Sequence, residues 1–161
     1  MIVSDASPLI NIAKAGKLYL MKELFGKVLI EEEVKRETID KGKEEGAPDA
    51  LVIENAVADG WIEVEKIDEE RSFTGIHKGE SNSILLAKKH KCLVIIDEED
   101  AREVARAMGL KVRGSLYVLK ASVEKGLISK DDAIRTLDDM IEDGFRISIK
   151  IYVKFLAQLK R

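Results

Sequence analysis

Acidic residues at the ends of apolar runs are the groups in this sequence best placed to do chemistry. Ile2-Val3-Ser4 ends on Asp5, and the continuous run Cys92-Leu93-Val94-Ile95-Ile96 ends on Asp97. In open parallel sheets ligands sit outside the carboxyl ends of the strands, so acids at strand exits come first. A single aspartate after a strand more often caps a helix or solvates a turn, whereas two such exits on neighbouring strands make a stronger signal. If Glu37 and Glu80 lean over the same edge, four carboxylates converge, and like charges at that spacing repel unless cations neutralise them. Oxygen donors with no thiolate pair and few histidines suit a hard ion, Mg²⁺ or Mn²⁺. Such ions polarise a phosphodiester, acidify a bound water and stabilise the leaving oxygen, so phosphodiester hydrolysis is the predicted chemistry. His77, in a polar stretch, and His90, in Lys88-Lys89-His90-Lys91, compete poorly as catalysts; His90 reads as a solvated cation at a helix end.

Composition sets the frame for that site. The chain has 161 residues, 45% of them hydrophobic, with two prolines and eleven glycines, which fits one folded domain over residues 1–161 and excludes disordered and collagen-like classes. Charges interrupt every apolar stretch before the roughly 20 residues a membrane helix needs. The first ten residues, with Asp5 among them, lack the basic region and apolar block of a secretory signal, so a cytoplasmic location and no membrane partner are expected. Cys92 is alone, which excludes an internal disulfide framework and a cysteine-based zinc site. With 27 Lys+Arg against 30 Asp+Glu the net charge is -3, so bulk electrostatics do not announce a polyanion partner. Charged residues nevertheless make up 35% of the chain beside three Asn and one Gln, a balance of the hyperthermophile kind. Cooperative melting is therefore expected above the mesophile range of roughly 45 to 65 °C, as calorimetry would show.

The elements that must position the acids follow from periodicity. A strand over 2–4 hands over to a helix, with Ser7 read as N-cap and Pro8 at the first helical position. Residues 18–25 predict a second helix and 28–30 a short buried strand. Glu31-Glu32-Glu33 open a helix on which Val34, Glu37 and Lys41 share a face at steps of three and four. Residues 50–58 predict a helix, 61–67 a one-sided strand near an edge, and 68–78 a surface loop. Glu80 to His90 is helical, and the apolar run after it fits a strand covered on both faces. A helix over 101–108, a short strand over 111–113, a turn at Gly114-Ser115 into a helix over 116–124, and terminal helices over 131–142 and 149–159 complete the pattern. Alternating strands and helices argue for a parallel α/β sheet with helices on both sides.

Four blocks in order carry a resemblance across essentially the whole chain: Val3-Ser4-Asp5-Ala6-Ser7-Pro8-Leu9-Ile10, Gly79-Glu80-Ser81-Asn82-Ser83-Ile84-Leu85-Leu86-Ala87, Ile95-Ile96-Asp97-Glu98-Glu99-Asp100-Ala101-Arg102, and Val112-Arg113-Gly114-Ser115-Leu116-Tyr117-Val118-Leu119. They resemble the PIN-domain family, in the branch of predicted nucleic-acid-binding proteins related to VapC-like toxin ribonucleases. The resemblance implies a three-layer α/β/α domain with a central parallel sheet of about five short strands flanked by helices. It also implies a site of three or four acids binding Mg²⁺ or Mn²⁺, and endoribonuclease activity on RNA. Asp5 matches the first acid, Glu37 the helix-borne glutamate after the second strand, and Glu80 the acid opening a helix. The last acid is Asp97 with Glu98 beside it, Asp100 being a third candidate; Asp5, Glu80, Asp97 and Glu98 are the expected metal ligands. Ser7, Asn11, Ser115, Lys78 and Arg102 are the expected substrate contacts, with Lys14, Lys111 and Arg113 further candidates for a basic rim. An antitoxin protein lying over the acids and a homodimer are the partners implied; Ile147, Ile149, Ile151 and Phe155 could serve a dimer but are read mainly as core.

Two other classes compete. A nucleic-acid-binding or partner-binding module without activity is credible because glutamate at positions 80 and 98 lengthens the ligand arm by a methylene, which octahedral Mg²⁺ tolerates poorly. A phospho-acceptor receiver domain shares the sheet plan but pairs two acids at its first strand's exit, where here Ala6-Ser7 follow Asp5.

Overall fold

The structure, a computed structural model, describes residues 1–69 and 71–160; Glu70, inside the expected 68–78 loop, and Arg161 lie outside the described residues. Five strands, β1 (Ile2–Ser4), β2 (Val28–Glu31), β3 (Ile62–Glu65), β4 (Val94–Ile95) and β5 (Val112–Arg113), form one parallel sheet in the order β3-β2-β1-β4-β5. The one-sided strand β3 is at an edge, as its alternation predicts. Helices flank the sheet: α1 (Ala6–Lys14), α2 (Tyr19–Phe25), α3 (Glu32–Lys35), α4 (Lys41–Glu44), α5 (Pro48–Ala58), α6 (Lys78–His90), α7 (Glu99–Ala107), α8 (Ser115–Glu124), α9 (Lys130–Glu142) and α10 (Ile149–Leu159).

Alternate residues of each strand enter opposite cores, the period-2 consequence of a sheet buried on both faces. Ile2, Ile30 and Ile95 join one apolar cluster with residues of α1, α2, α5, α8, α9 and α10, whereas Val3, Leu29, Val94 and Ile96 join another with residues of α6 and α7. The architecture is three-layered, α/β/α. Strand order reverses about β1, since β2 lies on one side of it and β4 on the other. Parallel crossovers leave a crevice at such a switch point, and the acids at the exits of β1 and β4 flank it.

Several local expectations change on contact with the fold. Helix α1 begins at Ala6 with Asp5, not Ser7, as its N-cap, and Asp5 makes no side-chain cap hydrogen bond. Pro8 is therefore the third helical residue, still within the first turn, where a missing N–H costs no intrahelical bond. Between α3 and α4 the chain makes a π-helical turn, Arg36–Asp40, so the steps of three and four break there: Val34 is buried, Glu37 half-buried and Lys41 exposed. His90 is not simply solvated, because its Nε2 lies 3.0 Å from Glu65 Oε1. Phe155 is core, but Ile149, Ile151 and Val153 of α10 are 83%, 47% and 56% exposed, which corrects the expectation that the first two pack inside. Among the described residues no helix is long and apolar enough to cross a membrane.

Candidate active site

Parallel pairing brings Asp5 and Asp97 to one place. Ser4 is in register with Ile95, and the Asp5 N–H donates to the Ile95 carbonyl at 3.0 Å, so each acid leaves its strand at nearly the same height. Asp5 is only 4% exposed, and its Oδ1 is buried without a hydrogen-bond partner. Burial pushes its carboxyl up to about 7; the Ala6 N–H partly offsets this, and the negative charges of Glu80, Glu37 and Asp97 push the same way as burial. Four acids from widely separated segments therefore share one electrostatic neighbourhood centred on Asp5.

Each neighbour has its own support. Glu80, in the first turn of α6, accepts the His77 N–H with Oε1 at 2.9 Å, the reciprocal half of a capping box. Asp97 accepts the Ser115 N–H on Oδ1 at 2.7 Å and the Ser115 hydroxyl on Oδ2 at 2.6 Å, so the start of α8 grips both of its oxygens. Burial raises the Asp97 carboxyl, opposed by those two hydrogen bonds and by the nearby Arg102 guanidinium. Glu37, carried on the π-helical turn, is raised by burial and by Glu33, with Arg36 and His77 opposing. π-Bulges inside α-helices are frequent at functional sites, and this one aims a carboxylate.

Two glycines complete the positioning. Eight of the eleven glycines have positive φ and serve turns; Gly42, Gly79 and Gly114 do not, so they are glycine for space. A Cβ on Gly79 would overlap Glu37 Oε1, and one on Gly114 would stand 2.7 Å from Asp97 Oδ1 and 3.1 Å from Arg102 Nη1. Gly42 instead faces Ala50, in the body of the fold. Gly79 and Gly114 were not among the sequence candidates. A signal existed for the first: glycine in the first turn of a helix that otherwise reads well carries a conformational cost that asks for a reason.

The remaining candidates are placed as follows. Arg102 is half-buried on α7 beside Asp97, with a buried Nε that has no hydrogen-bond partner. Ser115 has both its donors engaged by Asp97. Glu98, the N-cap of α7, and Asp100 are exposed, and neither is among the charges acting on Asp5. Ser7 and Lys78 are exposed and Asn11 is half-buried; the side chains of these three make no hydrogen bond among the described residues.

The donor set can be tested against a divalent ion. Oxygen-only ligands, an unpartnered Asp5 oxygen and mutual repulsion fit a hard cation in chemical type. Among the described residues, however, no three His, Cys, Asp or Glu side chains stand close enough to hold a metal together, since Glu80 and Asp97 are turned to His77 and Ser115. Mg²⁺ retains several waters and needs only one or two carboxylates, so Asp5 with one reoriented neighbour satisfies it.

A parallel sheet of this order with an acid at each side of its switch point defines a PIN-like fold. The DUF3368 family model, described as a PIN domain, matches residues 1–161, and the chain belongs to the PIN-domain family. The fold is similar to that of a PilT N-terminus domain protein from the hyperthermophilic archaeon Sulfolobus solfataricus P2, with 19% identity, a TM-score of 0.52, and coverage of 76% of this chain and 93% of that one. No curated protein matches. The domain is thus of the nuclease-type PIN fold, and PIN domains generally use divalent metal ions.

Proposed function

We propose that this chain is an endoribonuclease that hydrolyses RNA phosphodiester bonds with Mg²⁺ or Mn²⁺. The observation that carries the reading is Asp5: a buried carboxyl at the switch point, with one oxygen unpartnered and three more acids acting on it. Burial without compensation is costly for such a group, and a divalent cation is the natural compensation. When bound, such an ion polarises the scissile phosphate and makes a bound water more acidic. Asp5 with a reoriented Glu80 or Asp97 would hold it. Ser115 fixes the orientation of Asp97 through both oxygens. Glu37, its affinity for a proton raised by its surroundings, is suited to take a proton from the attacking water on a carboxylate oxygen. Arg102, whose guanidinium lies beside Asp97 and pairs only loosely with Glu99, at 4.0 Å, is suited to steady a phosphate oxygen. The toxin reading adds a basic antitoxin side chain among the same carboxylates.

A second reading, a binding module without hydrolysis, is favoured by the Glu80 carboxylate being engaged by the His77 N–H. One assay separates the two. Fluorescently labelled RNAs incubated with Mn²⁺ are expected to be cleaved, with cleavage abolished by EDTA and by Asp5→Asn while circular dichroism stays native. Tight Mn²⁺ binding with every RNA intact would select the binding module, and cleavage that survives both EDTA and Asp5→Asn would refute the assignment.

A further inference from the structure

Beside the acids, on the same carboxyl edge of the sheet, lies a cleft of about 880 Å³ over the exits of β2 and β3. We propose that this cleft holds a nucleotide of single-stranded RNA next to the scissile phosphate; the proposal rests on the ribonuclease reading and extends it to where substrate is gripped.

Three observations carry it. The first is position: Ser81 and Asn82 of the cleft follow Glu80 in α6, and Arg36 of its wall precedes Glu37, so the segments that carry two of the acids also line the cleft. The second is a pair of hydrogen-bonding groups in the lining that the fold leaves with unused capacity. Ser81 is 1% exposed, and its hydroxyl has no partner in the fold. Asn82 donates Nδ2 to Glu31 Oε2 at 3.0 Å, and because a carboxylate only accepts, the amide must turn its carbonyl oxygen away from Glu31. Glu31 is itself fixed, accepting the Glu33 N–H at 2.7 Å and the Ile67 N–H at 3.4 Å, so this floor is rigid.

The third is charge. The lining is balanced in charge: Arg36 pairs with Glu33 and Lys35 with Asp40, and Glu31, Glu32 and Glu69 stand against Lys66, Arg71 and Lys78, with Lys66 and Lys78 making no ion pair among the described residues. A rigid, polar and charge-balanced cleft suits a base and ribose inside it, with Lys66 and Lys78 available to phosphates. The size is within the range of ligand clefts and admits a nucleotide.

The test uses the whole protein in EDTA, where cleavage is silent, and a fluorescent single-stranded oligonucleotide read by anisotropy. Ser81→Ala is expected to weaken binding several-fold while leaving the melting temperature equal or higher, because it removes a hydroxyl the fold does not satisfy. Lys78→Ala is expected to weaken binding and flatten its salt dependence. Neither should alter Mn²⁺ affinity measured by electron paramagnetic resonance. If both variants bind the oligonucleotide as the unaltered protein does, the cleft proposal is overturned and the ribonuclease reading stands. If the unaltered protein neither binds nor cleaves any RNA, the ribonuclease reading falls and takes the cleft with it.

Discussion

Asp5→Asn is expected to make the metal-free protein more stable at pH 8, by roughly 4 kcal/mol, with the advantage shrinking to nothing near pH 4. The carboxyl moves from 3.8 to about 7 on folding, so between those values the folded state keeps a proton that the unfolded state has released. Stability therefore falls as pH rises through that window, and the penalty is complete above it. Asparagine carries no such penalty. For a domain of 161 residues the difference corresponds to a rise in melting temperature on the order of 10 °C, readable by scanning calorimetry in EDTA at pH 4, 6 and 8. Adding Mn²⁺ should reverse the ranking, because only the aspartate gains from a cation that binds the folded state alone. An asparagine variant no more stable than the unaltered protein at pH 8 would mean that Asp5 does not bear the burial cost described for it.

The second large effect is expected at the two glycines. Gly79→Ala should slow RNA cleavage by displacing the proton acceptor, whereas Gly114→Ala should lower Mn²⁺ affinity about 10- to 100-fold, the range seen when a group that orients a ligand is lost. In the first, the new methyl must displace the Glu37 carboxylate; in the second, it must displace Asp97 or Arg102. Gly42→Ala, whose methyl would meet the Ala50 methyl at 2.8 Å, is the control: it should cost stability and leave Mn²⁺ affinity unchanged. Shortening the displaced arm should repair the Gly79 lesion, so Gly79→Ala with Glu37→Asp should cleave RNA faster than Gly79→Ala alone. Mn²⁺ titration by electron paramagnetic resonance and a labelled-RNA cleavage assay read all four, and unchanged affinity and rate throughout would show that these glycines do not seat the acids.

Much of this was legible in the sequence because strand exits announce themselves. An apolar run that stops on an acid and is followed by a helix signal marks the carboxyl edge of a parallel sheet, and Asp5 and Asp97 were both found that way. The choice between Asp97 and Glu98 was not legible, since it depends on register: with Ile95 beside Ser4, Asp97 reaches the helix start at Ser115, whereas Glu98 is an exposed N-cap. Glu37 was assigned to a regular helical face that the π-helical turn interrupts, and such a turn is decided by packing, not by local spacing. Ser7 was read as the cap because serine before proline is the stronger local pattern, yet pairing with β4 starts the helix at Ala6. Gly79 and Gly114 stayed hidden because the carboxylates they accommodate come from elements 42 and 17 positions away in the chain, and proximity of that kind exists only after folding.

The position of β1 between β2 and β4 also makes the acidic site depend on distant parts of the chain. The strand that ends on Asp5 stays half-paired until Ile95 is present, and Asp97 lacks its anchor until Ser115 follows. A nascent chain or amino-terminal fragment that stops short of α8 carries every acid and no assembled centre. The centre is thus a late product of folding, because it depends on pairing between Ser4 and Ile95, segments far apart in the chain.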